Sequence, residues 1–194
     1  MRDRSPGATL GAMFDLDAFL DECVAASRQD QPLLAVRDVL DRAMATPTAV
    51  ADALPSDRAE LVRLFHSDDV TVLKVVWAPG MAIRPHDHRT WAAIGIYSGG
   101  EDNTFYRRQE GRIVESGGAE LRPRDVCLLG DDTIHGVVNP TRQFAGAIHV
   151  YGGDFFALER SGFDPETLEE HPYDGAASQR EFDAANAAWT AANG

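Results

Sequence analysis

The chain has 194 residues, 44% of them hydrophobic, and its 31 acidic and 18 basic residues give a formal net charge of −13 at pH 7. This length lies within the range of a single domain that can bury a sizeable core. Because the acidic excess leaves no evident basic patch, the composition disfavours nucleic acid and membrane surfaces as partners and favours small molecules.

Two further features concern where the protein functions. The first residues lack the long apolar region of a signal peptide, and the sequence has no run of about 18 apolar residues, the length that suits a membrane span. Cys23 and Cys127 are the only cysteines, which is too few for a disulfide framework in a chain of this length. We therefore expect a cytoplasmic protein with two reduced thiols.

The first third of the chain has the pattern of amphipathic helices. One helix is predicted to open in the stretch 15–22, where acidic residues suit a first helical turn. Two more are predicted over 32–40 and 47–54, each with a proline near its first turn. A fourth is predicted over 58–65. We expect these helices to pack on an edge or a face of a β core.

From Val70 onward the pattern changes to short strands. Residues 70–77 are mostly β-branched or apolar and end at a turn closed by Gly80. Glycine-containing and Asn-Pro steps separate the strands that follow, which are predicted over residues 91–97, 102–109, 112–116, 119–121, 125–129, 135–139 and 144–151. The pattern indicates an all-β jelly roll or barrel, followed by a helix over 182–192.

These elements predict one domain over residues 1–194. It consists of a helical N-terminal segment (1–66), a β-barrel core (70–160) and a C-terminal tail with a short helix (161–194). No repeat, low-complexity tract or linker interrupts the pattern.

Three histidines are the candidate metal ligands. His86 and His88 are one residue apart, so a strand would project both imidazoles from the same face while Asp87 points away. His135 can complete the group from a facing strand. A His-x-His pair alone is weak evidence, because short motifs recur by chance, so the surrounding sequence has to support it.

The His-x-His pair lies between two glycines, Gly80 and Gly99. The arrangement of Gly80, His86, His88 and Gly99 resembles the first motif of the cupin superfamily, a glycine, the His-x-His pair and a later glycine. Residues 135–139 resemble the second motif of that superfamily. The glutamate that many cupins use as a further ligand would fall at Ala92 or Ala93, neither of which can bind a metal. The resemblance therefore implies a cupin double-stranded β-helix with a site of three neutral histidines.

Within the cupins, residues 70–160 resemble the thiol dioxygenases, the group of cysteine dioxygenase and 3-mercaptopropionate dioxygenase. Residues 77–91 are similar to the family's first ligand segment, and residues 148–154 are similar to its His-x-Tyr segment. The family places a Ser-x-His-x-Tyr triad beside the iron.

In this triad the chain has Ala147 in place of the serine, followed by His149 and Tyr151. The resemblance implies that the Tyr151 hydroxyl donates a hydrogen bond to bound oxygen or substrate and that His149 orients this hydroxyl. A hydrogen bond that positions the histidine is absent here or is made by another group.

Arginines are the candidate anchors for a substrate carboxylate, because a guanidinium group matches a carboxylate in shape and charge. Arg160 stands nine residues after Tyr151, where resemblance to the mercaptopropionate-type enzymes implies such an arginine. Resemblance to the cysteine-type enzymes points to an arginine before the first strand, for which Arg63 is the nearest candidate. Trp91 is a candidate wall of the substrate pocket.

The resemblance implies a non-haem iron thiol dioxygenase with one Fe(II) per chain, which converts a small carboxylated thiol, 3-mercaptopropionate-like or cysteine-like, and O2 to the sulfinic acid. Three neutral imidazoles leave a divalent ion its full charge, which favours binding of a thiolate. Two alternatives stay open. One is a cupin metalloenzyme of other chemistry, because imidazole suits several metals. The other is a cupin that binds a metal or a small ligand without turnover.

Overall fold

The structure is a computed structural model that describes residues 13–194. Residues 1–12, on which the expectation about a signal peptide depends, lie outside the described residues. Three helices come first: α1 (Leu16–Ser27), α2 (Pro32–Met44) and α3 (Pro47–Ala53). Asp15 caps α1 by accepting a hydrogen bond from the Ala18 N–H at 3.1 Å, and prolines begin α2 and α3.

The strands form two antiparallel sheets. Their bounds are β1 (Glu60–His66), β2 (Val70–Trp77), β3 (Ala82–Asp87), β4 (Ala92–Ser98), β5 (Glu101–Gln109), β6 (Arg112–Leu121), β7 (Val126–Leu129), β8 (Ile134–Val138), β9 (Ala145–Gly152), β10 (Ser161–Phe163) and β11 (Glu170–Pro172). The five-stranded sheet has the order β1-β2-β9-β4-β7 and the six-stranded sheet the order β11-β10-β3-β8-β5-β6. Helix α4 (Gly175–Asn193) follows β11. The mainly β jelly roll with N-terminal helices and a C-terminal helix is confirmed.

The prediction of a helix over 58–65 is wrong, because these residues contribute to β1. Leu61 pairs with Val75 and Arg63 with Leu73 across an antiparallel ladder. A short apolar segment fits either a helical or a strand period. The free edge of β2, whose backbone groups need partners, decides in favour of a strand.

The sheets extend beyond the predicted core at both ends. The sequence pattern does not predict β10 or β11, which carry the six-stranded sheet to Pro172. The two strands predicted over 112–116 and 119–121 form the single strand β6, and its register shifts at a β-bulge opposite Phe105 and Tyr106. A glycine pair inside a strand therefore marks a bulge here and not a break.

The apolar core has two layers, one on each face of the five-stranded sheet. Helices α1 to α3 pack on the outer face, as expected of helices that cover a β core. Because β2 is covered on both sides, all of its residues are buried. A Cβ at Gly95 would lie 2.9 Å from Cγ of Met44 on α2, so a larger residue here would force the Met44 side chain to move. The layer between the sheets includes Leu73, Val75, Ile94, Ile96 and Leu129, and the layer under the helices includes Phe19, Val36, Leu40, Val72 and Val150.

Two predictions about the whole chain concern cysteines and membranes. Cys23 and Cys127 are both free thiols, and burial raises their pKa values to about 12 and about 11. Such thiols stay protonated at neutral pH and are poor nucleophiles. Over residues 13–194, no helix has the length and apolarity that a bilayer crossing requires.

Candidate metal centre

Three histidines converge between the two sheets. His86 on β3 lies directly opposite His135 on β8 in the antiparallel pairing, and His88 follows the last residue of β3. The third imidazole therefore comes from the neighbouring strand of the same sheet, and the prediction of a facing strand is wrong. One nitrogen from each ring lies within 4.8 Å of the others, and all three residues are buried.

The spacing of these nitrogens fits a single metal ion. Nε2 of His88 is 3.2 Å from Nε2 of His86 and 3.2 Å from Nε2 of His135. Two nitrogens held about 2.1 Å from one ion, at roughly 90–110° to each other, are about 3.0–3.4 Å apart. In the part of the chain that the structure describes, no carboxylate joins the group. The donor set is therefore three imidazoles.

Burial keeps these imidazoles neutral. Desolvation lowers the pKa of His86 to about 4. It also lowers the pKa values of His88 and His135 well below 6.5, with a smaller contribution from the neighbouring histidines. Neutral imidazole is the form that binds a metal, so the site holds its ligands ready at neutral pH.

Two of the histidines have their second nitrogen fixed by a carbonyl oxygen. Nδ1 of His86 lies 3.0 Å from the backbone oxygen of Arg84, and Nδ1 of His135 lies 2.7 Å from Oδ1 of Asn103. A carbonyl oxygen only accepts, so each Nδ1 carries the proton and donates it. This leaves Nε2 of both rings unprotonated and available to a metal.

The support for His135 continues through a buried chain of hydrogen bonds that the sequence motifs do not predict. Asn103 donates from Nδ2 to Oε1 of Glu101 at 3.2 Å, and Trp77 donates from Nε1 to Oε2 of Glu101 at 2.8 Å. Glu101 is fully buried, and desolvation raises the pKa of its carboxyl group. The signal in the sequence that points to this hydrogen-bonded chain is a pair of polar residues, Glu101 and Asn103, at alternate positions of β5. This strand lies beside β8, which carries His135.

A histidine and a tyrosine face the three imidazoles from the five-stranded sheet. His149 and Tyr151 lie on β9, and Nδ1 of His149 is 2.9 Å from the Tyr151 hydroxyl oxygen. Desolvation lowers the pKa of His149 to about 3 and raises the pKa of Tyr151 far above 10. Both residues are therefore uncharged at neutral pH.

The tautomer of His149 follows from its other nitrogen. Nε2 of His149 is buried and has no hydrogen-bond partner among the described residues. The residue two positions earlier on the same face of β9 is Ala147. A buried nitrogen without a partner is tolerated better as an acceptor than as an N–H donor. We therefore assign the proton to Nδ1, which donates to the Tyr151 oxygen and leaves the tyrosine O–H free to donate into the cavity.

Arg160 supplies the positive charge at this site. Its guanidinium carbon lies 4.1 Å from the ring centroid of Phe155 and 4.1 Å from that of Tyr173. Within residues 13–194, no carboxylate lies within ion-pair distance of Arg160, although Glu159 and Asp164 are close in sequence. The two rings hold the planar group in place and leave its hydrogen-bond donors available.

These residues surround one cavity of about 260 Å³. Of the described residues that line it, none is acidic. Arg63 and Trp91 are not part of the lining either. Arg63 is exposed on β1, with its guanidinium 5.8 Å from the Phe156 ring, and Trp91 packs over Gly152 in the layer under the helices. The apolar part of the wall comes from Leu61, Val75, Trp77, Ile83, Val137, Phe155, Phe156 and Phe182.

Fold and site together define a jelly-roll protein with a buried three-histidine group that can hold a metal ion. No family model matches the chain. A protein from Bacillus halodurans is similar to it, with 18% identity and a TM-score of 0.48 over 54% of this chain and 77% of that one.

Two further solved structures illustrate the range of similar proteins. A cupin superfamily protein from Desulfitobacterium hafniense is 18% identical, with a TM-score of 0.43 over 54% of this chain and 88% of that one. Oxalate decarboxylase from Bacillus subtilis is 19% identical, with a TM-score of 0.39 over 45% of this chain. The match spans only 22% of the decarboxylase chain. These are similarities of fold, and they assign no activity to this chain.

Proposed function

We propose that this protein is a non-haem iron thiol dioxygenase that converts a small carboxylated thiol and O2 to the sulfinic acid. The observation that carries the proposal is the composition of the cavity. Within residues 13–194, three neutral imidazoles without a carboxylate, a tyrosine with a free hydroxyl proton and an arginine without a carboxylate partner line the same space.

His86, His88 and His135 would hold one Fe(II) ion per chain. Bound there, the iron would supply the redox chemistry that activates O2 beside a coordinated thiolate. The overall reaction, R–SH + O2 → R–SO2H, adds both oxygen atoms to sulfur. Sulfur loses four electrons and O2 gains them, so no further reductant is needed.

The protein's own groups bind and orient the substrate. The guanidinium of Arg160, clamped between Phe155 and Tyr173, would bind the carboxylate with two parallel hydrogen bonds. The Tyr151 hydroxyl, held by His149, would donate a hydrogen bond to an oxygen atom at sulfur. The apolar walls exclude water, which strengthens both interactions.

The activity test uses the full chain, loaded anaerobically with iron. Oxygen uptake and sulfinate formation are measured with 3-mercaptopropionate, cysteine and cysteamine, after bulk metal analysis of the protein as purified. We expect sulfinate from a carboxylated thiol, with one O2 consumed per product. A protein that holds iron yet shows no thiol-dependent oxygen uptake would be a cupin-like metal-binding protein or an enzyme of other chemistry.

Two variants separate metal binding from substrate chemistry. His135→Ala removes one of three ligands and is expected to abolish iron retention, as measured by metal analysis after dialysis. Tyr151→Phe keeps all three ligands and is expected to retain iron but to lower the sulfinate yield, because it removes the hydroxyl donor. If Tyr151→Phe matched the parent protein in sulfinate yield, the tyrosine would only fill the barrel.

A further inference from the structure

Asp87 lies between the two histidines of the His-x-His pair, and its carboxylate points away from the cavity into a second cluster of polar groups. The residue is fully buried. Oδ1 accepts a hydrogen bond from the Ser161 backbone N–H at 2.8 Å. Oδ2 lies 2.9 Å from Nε of Arg89 and 3.1 Å from Nη2 of Arg108. Each carboxylate oxygen thus has its own partners.

The two arginines connect this carboxylate to the strands around it. Arg108 lies on β5 and also contacts Glu170 on β11 at 2.8 Å. Arg89 donates from Nη2 to the Ser161 hydroxyl at 3.0 Å. The arginine side chains are 41% and 38% exposed, so they compensate the buried charge of Asp87 while keeping contact with water.

The contact with Ser161 fixes the start of β10. That strand pairs with β11 at three positions but with β3 at a single one, Gly162 with His86, so the backbone ladder ties it only weakly to the strand of the histidines. Arg160 immediately precedes Ser161. The bond from Asp87 to the Ser161 N–H therefore ties the backbone next to Arg160 to the strand end that carries the histidines, while the rings of Phe155 and Tyr173 hold the guanidinium itself.

We propose that Asp87 is a positioning residue that couples the three-histidine group to Arg160 and thereby selects thiols whose carboxylate lies at one fixed distance from the sulfur. This inference rests on the proposed function and deepens it, because it states what determines the substrate's length. It assigns Asp87 no contact with the substrate.

The test measures thiol binding without turnover. Co(II) replaces iron in the full chain, since imidazole ligands accept both metals, and anaerobic titrations follow the absorption that a thiolate produces on Co(II). The probes are 3-mercaptopropionate, the longer 4-mercaptobutyrate and propane-1-thiol, which has no carboxylate. The variant is Asp87→Asn. An amide has one accepting oxygen, so this variant must lose either the Ser161 N–H or the arginines.

The parent protein is expected to bind one of the two carboxylated thiols about tenfold more tightly than both the other carboxylated thiol and propane-1-thiol, as one charge-assisted contact that fits only one length implies. In Asp87→Asn this preference is expected to fall at least about threefold, with the affinities for Co(II) and propane-1-thiol unchanged. The control is Glu60→Gln, which removes the same charge from a partly buried pair, Lys74 with Glu60 at 2.6 Å. It should leave the preference intact.

Three outcomes overturn the proposal. The first is an unchanged preference in Asp87→Asn, and the second is weaker Co(II) binding in that variant, which would make Asp87 a support of the ligands alone. The third is a parent protein without a preference for a carboxylated thiol, which also removes the proposed role of Arg160. If the parent protein has this preference but does not oxidise thiols, the proposed function is wrong and the proposed role of Asp87 is not affected. Should Asp87→Asn not fold, Arg108→Gln must reduce the preference in the same direction, and an unchanged preference there is equally decisive.

Discussion

A buried nitrogen of His149 is the least satisfied polar atom facing the three imidazoles across the barrel. Among residues 13–194, Nε2 of His149 has no hydrogen-bond partner, and Ala147, two positions earlier on the same face of β9, has no side-chain donor to offer it. A buried acceptor without a partner costs free energy that a neighbouring hydroxyl would recover. The histidine is held instead by Tyr151 on one side and by the edge of the Trp77 ring, whose centroid is 6.4 Å away.

The substitution Ala147→Ser should therefore stabilise the protein. A hydroxyl two residues before His149 on the same strand face can donate to Nε2, and a new hydrogen bond of this kind contributes about 1 kcal/mol to the free energy of unfolding. Chemical denaturation of the metal-free protein measures the change.

Ala93→Ser is the matched control for this prediction. Ala93 is also fully buried, but it lies in the apolar layer under the helices, where a hydroxyl has to be desolvated beside apolar side chains. We expect this control to lose about 1 kcal/mol. If Ala147→Ser lost stability as the control does, Nε2 would not be accessible to a hydroxyl at position 147.

At the scale of elements, helix α4 contributes more to the site than its sequence indicated. The prediction began this helix at Phe182, whereas α4 begins at Gly175, with Asp174 as its cap at 2.9 Å from the Ala177 N–H. The added turns bring Ser178 and Gln179 to the cavity wall. The aspartate before an alanine-rich run was the available signal for this earlier start.

Phe182 anchors α4 over the cavity, and Phe182→Ala should release it. The ring is 4% exposed and stacks on Trp77, with centroids 5.4 Å apart. Truncating a buried phenylalanine costs about 3–5 kcal/mol. In Phe182→Ala we expect the amide hydrogens of α4 to exchange faster than those of the sheets, because the helix can open separately from them.

Trp189→Ala is the comparison for the loss of Phe182. Trp189 packs on Phe144, with centroids 5.0 Å apart, and does not line the cavity. The variant Trp189→Ala should loosen the C-terminal end of α4 while leaving the amide hydrogen exchange of residues 175–182 near that of the parent protein. Equal exchange of residues 175–182 in both variants would show that Phe182 has no special role in closing the cavity.

At the scale of the whole molecule, local patterns predicted most elements, and tertiary contacts decided the rest. Helices α1 to α3 and most strands follow from periodicity and from the position of proline and glycine. The segment 60–66 does not, because only the open edge of β2 makes it a strand. The motifs identified His86, His88 and His135, but they could not identify Glu101, whose role exists only once β5 lies beside β8.

The buried histidines should also determine how the stability of the metal-free protein depends on pH. Desolvation lowers the pKa values of His86 and His149 from 6.5 to about 4 and about 3. Below pH 6.5 the unfolded chain binds protons that the folded protein does not bind. The stability is therefore full above pH 6.5 and falls as the pH decreases towards 4, by up to about 1.4 kcal/mol per pH unit for each such group.

Chelator-treated protein, unfolded with urea at pH 8, 7, 6 and 5, tests this dependence above the ordinary pKa values of Asp and Glu. Glu101, whose carboxyl pKa is raised by burial, contributes in the opposite direction. The expected free energy of unfolding is level from pH 8 to pH 7 and then declines steadily to pH 5. His149→Phe keeps a ring at this position but has no titrating group. Between pH 6 and pH 5 it should reduce the slope of the free energy of unfolding against pH by the equivalent of about one proton, or about 1.4 kcal/mol per pH unit. An equal free energy of unfolding at pH 7 and pH 5 would mean that the histidines already take up protons in the folded state, and the enclosed neutral site described above would then be wrong.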